Sequence, residues 1–120
     1  MTNIRLDRTF WPVGHGAFYT EQFFDYESKK MFTAVYDCGG IGNLRKGKAA
    51  SLSSPFMEDR VKEFLGTTFQ ETRPVIDVLF ISHLHRDHIN GIPSLLPFVR
   101  RIVLPQLEEE SYIEEEEDEE

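Results

Sequence analysis

The sequence is poor in cysteine. Cys38 is its single thiol, so no intramolecular disulfide framework can staple the chain, and a lone thiol fits a reducing compartment. Long apolar runs are also missing: nothing approaches the roughly 20 residues that a bilayer-spanning helix needs. The opening segment MTNIRLDRTFWPVGHGAF has no uninterrupted apolar core of the signal-peptide kind. The expectation from these absences is a soluble, cytoplasmic protein without a membrane partner. Internal repeats are absent. Histidine is scarce and one-sided, with four in the chain and none after His88; the only aspartate beyond that point is Asp118.

What is present is globular in character, with 40% hydrophobic and 12% aromatic residues in 120, enough for one small core. The formal net charge of -8 misleads, because ten of the 21 acidic residues lie between Glu108 and Glu120. The other 107 residues set 13 basic against 11 acidic groups, a body close to neutral. A block of like charge repels itself and buries no apolar surface, so residues 108–120 are expected to be a disordered acidic tail and residues 1–107 the domain. A near-neutral body with an anionic tail does not support nucleic-acid binding.

Between Ile4 and Phe24, aromatics alternate with polar residues around Gly14-His15-Gly16, which predicts two short strands joined or bent at the glycines. Met31 to Tyr36 is a further strand, stopped by Asp37-Cys38-Gly39-Gly40. Ile41 to Pro55 is rich in Gly, Lys and Ser without hydrophobic period, hence a surface loop. Met57, Val61 and Phe64 stand at helical spacing among charged residues, and Gly66 is the expected stop of that helix. Val75 to Ile81 (VIDVLFI) is a nearly continuous, β-branched apolar run of the kind covered on both faces, and is expected to be the central strand. Pro93 opens a short helix disturbed near Pro97, and Arg101 to Leu104 closes the pattern as a strand. The order implies an α/β architecture.

The chemistry lies directly after the apolar run, in His83-Leu84-His85-Arg86-Asp87-His88. Histidines two apart in extended chain project to one side and can share an ion, with Zn–N bonds of about 2.0–2.1 Å. A change of backbone direction after His85 lets Asp87 and His88 face a second ion, about 3.5–4 Å from the first in two-metal hydrolases. A histidine-rich loop is often no more than a solvated surface. Here it falls at the C-terminal end of the most buried strand, where open α/β sheets place ligands, and Gly91 permits close backbone approach.

The segment ISHLHRDHING resembles the signature of the metallo-β-lactamase superfamily, a strand running into His-x-His-x-Asp-His and then glycine. VGHGAFY is similar to the glycine-bearing first hairpin of that superfamily, and VYDCGG to its strand ending in Asp and Gly; together they span roughly residues 8 to 104 in the family order. VGHGAFY also looks like the VGQGD pattern of the branch that includes the hydrolase domain of DNA-uptake competence proteins, with His15 in place of Gln and the usual acidic residue replaced. The resemblance implies the N-terminal half of an αββα sandwich, with zinc held by His83 and His85 and a second ion by Asp87 and His88. Asp87 would also orient the attacking water. Mixed His/Asp ligands suit zinc best, with manganese or iron open.

The superfamily completes its site with a His, a bridging Asp and a last His from its C-terminal half, and these 120 residues contain none of them. Two ligands per ion hold zinc weakly. The chain is therefore expected to be part of a longer hydrolase, to be completed by a partner polypeptide, or to keep the fold as a non-catalytic partner or regulatory fragment. An exposed sheet edge and apolar surface are expected in each case. Substrates of the hydrolase reading are esters, lactams, thioesters or phosphodiesters, small molecules included. Asp37 could accept a ligand histidine's N–H or simply form a turn. Cys38 is expected to be a small buried side chain, His15 a strand-turn residue rather than a metal ligand, and Lys29, Lys30, Arg45, Lys46 and Lys48 a solvated cluster rather than a basic mouth for phosphate.

Overall fold

A computed structural model describes residues 3–41, 55–70 and 72–105. Its elements are β1 (Ile4–Phe10), β2 (Gly16–Asp25), β3 (Lys30–Gly40), α1 (Pro55–Phe69), β4 (Val78–Phe80), α2 (Arg86–Ile89), α3 (Ile92–Leu95) with a 3-10 turn over Leu96–Phe98, and β5 (Ile102–Val103). They form a mixed α/β fold on one five-stranded sheet in the order β1-β2-β3-β4-β5. β1, β2 and β3 pair antiparallel, while β4 and β5 join in parallel. The expected loop over most of 41–55 and the acidic tail at 108–120 lie outside the described residues.

The β2–β3 hairpin is set by its turn chemistry. Asp25 accepts hydrogen bonds from the Glu27 amide at 2.9 Å and the Ser28 hydroxyl at 2.9 Å, and Lys29 takes the left-handed conformation that closes the turn. Those two bonds, the amide first, hold the Asp25 carboxyl below its ordinary value. Lys29 and Lys30 therefore stand at the far end of this hairpin from Gly16 and Gly40. A ten-residue strand at about 3.3 Å per residue separates them from the histidine motif, so they line no mouth there.

β3 corrects the expectation that its strand stops at Tyr36. It continues to Gly40 because the ladder absorbs one extra residue: Phe18 opposes Cys38 while Tyr19 opposes Tyr36, leaving Asp37 as the bulge at φ +59°. The bulge also preserves the facing pattern. Thr33 and Val35 point into the core, and the inserted residue returns Cys38 to that same side, where a regular strand would have turned it outward.

α1 buries Met57, Val61 and Phe64 as the spacing predicts. The Phe64 ring sits 5.8 Å from Trp11, 5.6 Å from Phe18 and 6.0 Å from Phe69. Gly66 does not end the helix. It lies inside, and the helix runs on to bury Phe69, closing at Gln70, whose left-handed backbone (φ +48°) bonds back to the Gly66 carbonyl at 3.1 Å. Burial of one more aromatic outweighs the helix cost of glycine, about 1 kcal/mol. A Cβ at Gly66 meets nothing within 4 Å. Gly66→Ala is accordingly expected to stabilise the protein by about 0.5–1 kcal/mol in urea denaturation, and a loss of stability would show that the helix does not pass through this residue.

VIDVLFI yields a shorter strand than expected. Asp77 leaves the ladder pattern to accept from the Thr33 amide at 2.8 Å, and Ile76 forms only an isolated bridge with Val99. Val78 and Leu79 are buried, but cover on both faces is not found among the described residues, and the middle position belongs to β3 with β4 its neighbour. The described helices pack on one face. The other carries a row of rings across four strands, Phe10, Tyr19, Tyr36 and Phe80, with centroids 4.5, 5.5 and 4.8 Å apart. Phe10 is 78% exposed, and β1 is an exposed sheet edge along its whole length.

Candidate metal centre

Parallel pairing of β3, β4 and β5 brings their C-terminal ends to one side, where the chain leaves β4 as Ile81-Ser82-His83 and turns into α2. The Asp37 bulge lies at the same end, beside the start of β2. The His88 amide bonds to the His85 carbonyl at 2.9 Å and closes the first turn of α2, so Asp87 and His88 are helical whereas His83 and His85 are not. This is the change of backbone direction expected between His83/His85 and Asp87/His88.

Three glycines let α2 press onto the hairpin. A Cβ on Gly39 would stand 2.5 Å from the His88 carbonyl carbon, and one on Gly16 would stand 2.5 Å from the Asp87 carbonyl oxygen. Gly91 faces Cys38 and Met57, where a Cβ would reach Cys38 Sγ at 2.8 Å, so the expected close approach is present. The buried Asn90 amide locks the contact by accepting from the Gly40 amide at 2.8 Å and donating to the Gly40 carbonyl at 2.8 Å. Cys38 is wholly buried here. Burial first, and the neighbouring Asp37 charge second, push its thiol far up, so it stays protonated and serves as packing.

Asp37 organises the histidines. One carboxylate oxygen accepts from the Ser82 amide at 2.7 Å; the other accepts from the Ser82 hydroxyl at 2.5 Å and lies 2.9 Å from His88 Nδ1. Since a carboxylate only accepts, His88 Nδ1 carries the proton of that bond. The Ser82 hydroxyl has spent its single hydrogen on Asp37, so at 3.0 Å from His83 Nδ1 it must accept. In the neutral form both imidazoles are thereby Nδ1–H tautomers with Nε2 as the basic nitrogen, the arrangement that metal-binding histidines show. The strained φ of a buried, non-glycine Asp37 is held in place by these three bonds.

The four motif residues are gathered. His83 and His85 ring centroids are 5.9 Å apart, those of His83 and His88 5.1 Å, and Asp87 Oδ2 is 3.9 Å from His88 Nε2. Among the described residues no three or more His, Cys, Asp or Glu side chains are placed, as they stand, to hold a metal ion together. The donor set nevertheless fits zinc in chemistry: three imidazoles, two of them with the tautomer set from behind, and one carboxylate. Sequence reasoning left Asp37 open between support and turn; it stands at a bulge inside β3 rather than in a turn, with its carboxylate against Ser82 and His88. The same reasoning missed Ser82, for which a hydroxyl one residue before a histidine is no signal by itself. It also read His15 as a turn residue, and the turn brings His15 Nε2 to 3.3 Å from Asp87 Oδ2.

A groove of about 280 Å³ on the ring-bearing face ends at Asp37 and Ser82, between Tyr36, Phe80 and Val103. A wider cleft of about 700 Å³, lined by Arg5, Asp7, Gln22, Thr33 and Thr67 among others, lies between α1 and β1–β3 and contains none of the motif residues. Chemistry rather than volume identifies the candidate site. Neither a scan against models of known protein families nor a search among curated proteins returns a match to this chain.

Proposed function

We propose that this chain is the N-terminal half of a metal-dependent hydrolase of the metallo-β-lactamase type, its sheet forming one layer of an αββα sandwich. The observation that carries the reading is the Asp37–Ser82 network, which fixes the protons on His83 and His88 and leaves Nε2 of each as a donor for an ion. His83 and His85 would hold one zinc ion, Asp87 and His88 a second, with manganese or iron as substitutes. When bound, such ions polarise a scissile ester, phosphodiester, lactam or thioester and acidify the attacking water. The chain's own residues do the rest: Asp37 and Ser82 hold the imidazoles still, and Asp87 orients the water. The remaining ligands of the superfamily would come from a C-terminal half or a partner polypeptide packed on the ring-bearing face.

That exposed face favours a second reading, a non-catalytic partner that keeps the fold for association. Elemental analysis of the dialysed chain beside a His83→Ala, His85→Ala double variant separates the two. With dialysis against zinc-containing buffer, because two ligands per ion hold zinc weakly, the hydrolase reading expects up to about one or two equivalents of zinc in the wild type and their loss in the variant. Equal, negligible metal in both would leave the association reading standing.

A further inference from the structure

We propose that His15 is a further metal ligand, completing with Asp87 and His88 a three-donor site made wholly within this chain. The inference rests on the reading of Asp87 and His88 as ligands and adds a residue from a different part of the fold. Its ground is placement. The Gly14-His15-Gly16 turn uses positive φ at both glycines, +69° and +148°, and the Ile41 amide pins the His15 carbonyl at 3.0 Å. Gly16 is packed so closely on the Asp87 backbone that a side chain could not be accommodated, and this contact sets His15 over the start of α2.

One of the two distances to Asp87 already matches shared coordination. Two atoms bound tetrahedrally at about 2.0–2.1 Å stand about 3.3–3.4 Å apart. His15 Nε2 is 3.3 Å from Asp87 Oδ2, within that separation, and His88 Nε2 is 3.9 Å from the same oxygen, about 0.5 Å wider than it. One carboxylate oxygen thus neighbours two imidazole Nε2 atoms, and the proton of the second ring is already engaged by Asp37 at Nδ1. The cage is open as it stands, but the His15 side chain is 68% exposed and has room to turn toward an ion. Three protein donors with a fourth position open is the ligand count of catalytic zinc. His83 and His85 remain for the other ion.

The test is zinc affinity of the full chain by competition with a chromophoric chelator, together with the visible spectrum of the cobalt-substituted protein. Four proteins are compared: wild type, His15→Ala, His88→Ala and the His83→Ala, His85→Ala double variant, each checked for folding by circular dichroism. Removal of an outer-shell partner already weakens metal binding about 10–100-fold. Loss of His15 is expected to weaken one class of zinc site by at least the upper end of that range and to reduce the cobalt d–d absorption, as His88→Ala does. If His15→Ala binds zinc and cobalt as the wild type does while His88→Ala fails, His15 is no ligand and the motif reading survives. If wild-type protein binds neither ion, both fall together. If His15→Ala and His88→Ala lose the same class of site while the double variant keeps that class, His15 is confirmed.

Discussion

Gly39→Ala is expected to lower stability by about 3 kcal/mol or more, beyond the usual cost of overpacking a core, about 1–3 kcal/mol. The added carbon would lie 2.5 Å from the His88 carbonyl carbon and 2.6 Å from the Asp87 carbonyl carbon and oxygen, whereas carbon atoms settle at about 3.5–4.0 Å. The obstacle is backbone on both sides, so no side chain can rotate away and α2 must move by about 1 Å. That movement would stretch the two Asn90–Gly40 hydrogen bonds, each 2.8 Å, and pull His88 from Asp37. In a domain of this size each kcal/mol corresponds to roughly 4–8 °C, so Tm should fall by roughly 12 °C or more. Differential scanning calorimetry checks this directly. A Tm within a degree or two of wild type would mean that α2 does not rest on β3 as described.

Asp37→Asn separates the folding role of the same region from its chemistry. Asparagine fits the space, tolerates the left-handed backbone and can still accept from the Ser82 amide. Its amide nitrogen, however, donates where the carboxylate oxygen accepted. The Ser82 hydroxyl and His88 Nδ1 then face a donor, and His88 is driven to the opposite tautomer, with its proton on Nε2. The expected result is a folded protein whose metal affinity drops about 10–100-fold, the range for lost second-layer partners, with a reversed His88 tautomer in nitrogen-15 NMR. Asp37→Ala should additionally unfold more readily. Hydrogen bonds to a charged group contribute about 1.5–3 kcal/mol each, and alanine gains nothing from a left-handed backbone that disfavours it by about 1–2 kcal/mol. Were Asp37→Asn to keep both tautomer and affinity, the network would be structural only, and the proposed function would lose its main support.

Much of the local structure was legible before any coordinates. Met57, Val61 and Phe64 mark the buried stripe of α1 because helical period and burial coincide there. The apolar run before Ser82 marks an internal strand, β4 between β3 and β5, although only one of its faces is covered by the described helices. Boundaries were harder to read, each for a physical reason. Gly66 is a stop signal by propensity, but the gain from burying Phe69 carries the helix through it. Asp37-Cys38-Gly39-Gly40 looks like the end of a strand, yet a bulge lets the ladder absorb the aspartate and continue. Asp77 interrupts an otherwise ideal strand because the Thr33 amide is close enough to bond with it.

The sequence by itself determined the donor types and their order: two histidines two apart, then an aspartate and a histidine, at the end of a buried strand. Ligand spacing and burial pattern are properties of a few consecutive residues, and consecutive residues are what a sequence displays. Only the tertiary structure decided which groups stand behind and beside those donors. Asp37 meets Ser82 and His88 across 45 and 51 positions of chain, and His15 reaches Asp87 from the far side of two strands. Those meetings depend on a one-residue bulge in β3 and on glycines that admit α2 to within contact of the hairpin, and packing of that kind leaves no periodic trace in the sequence.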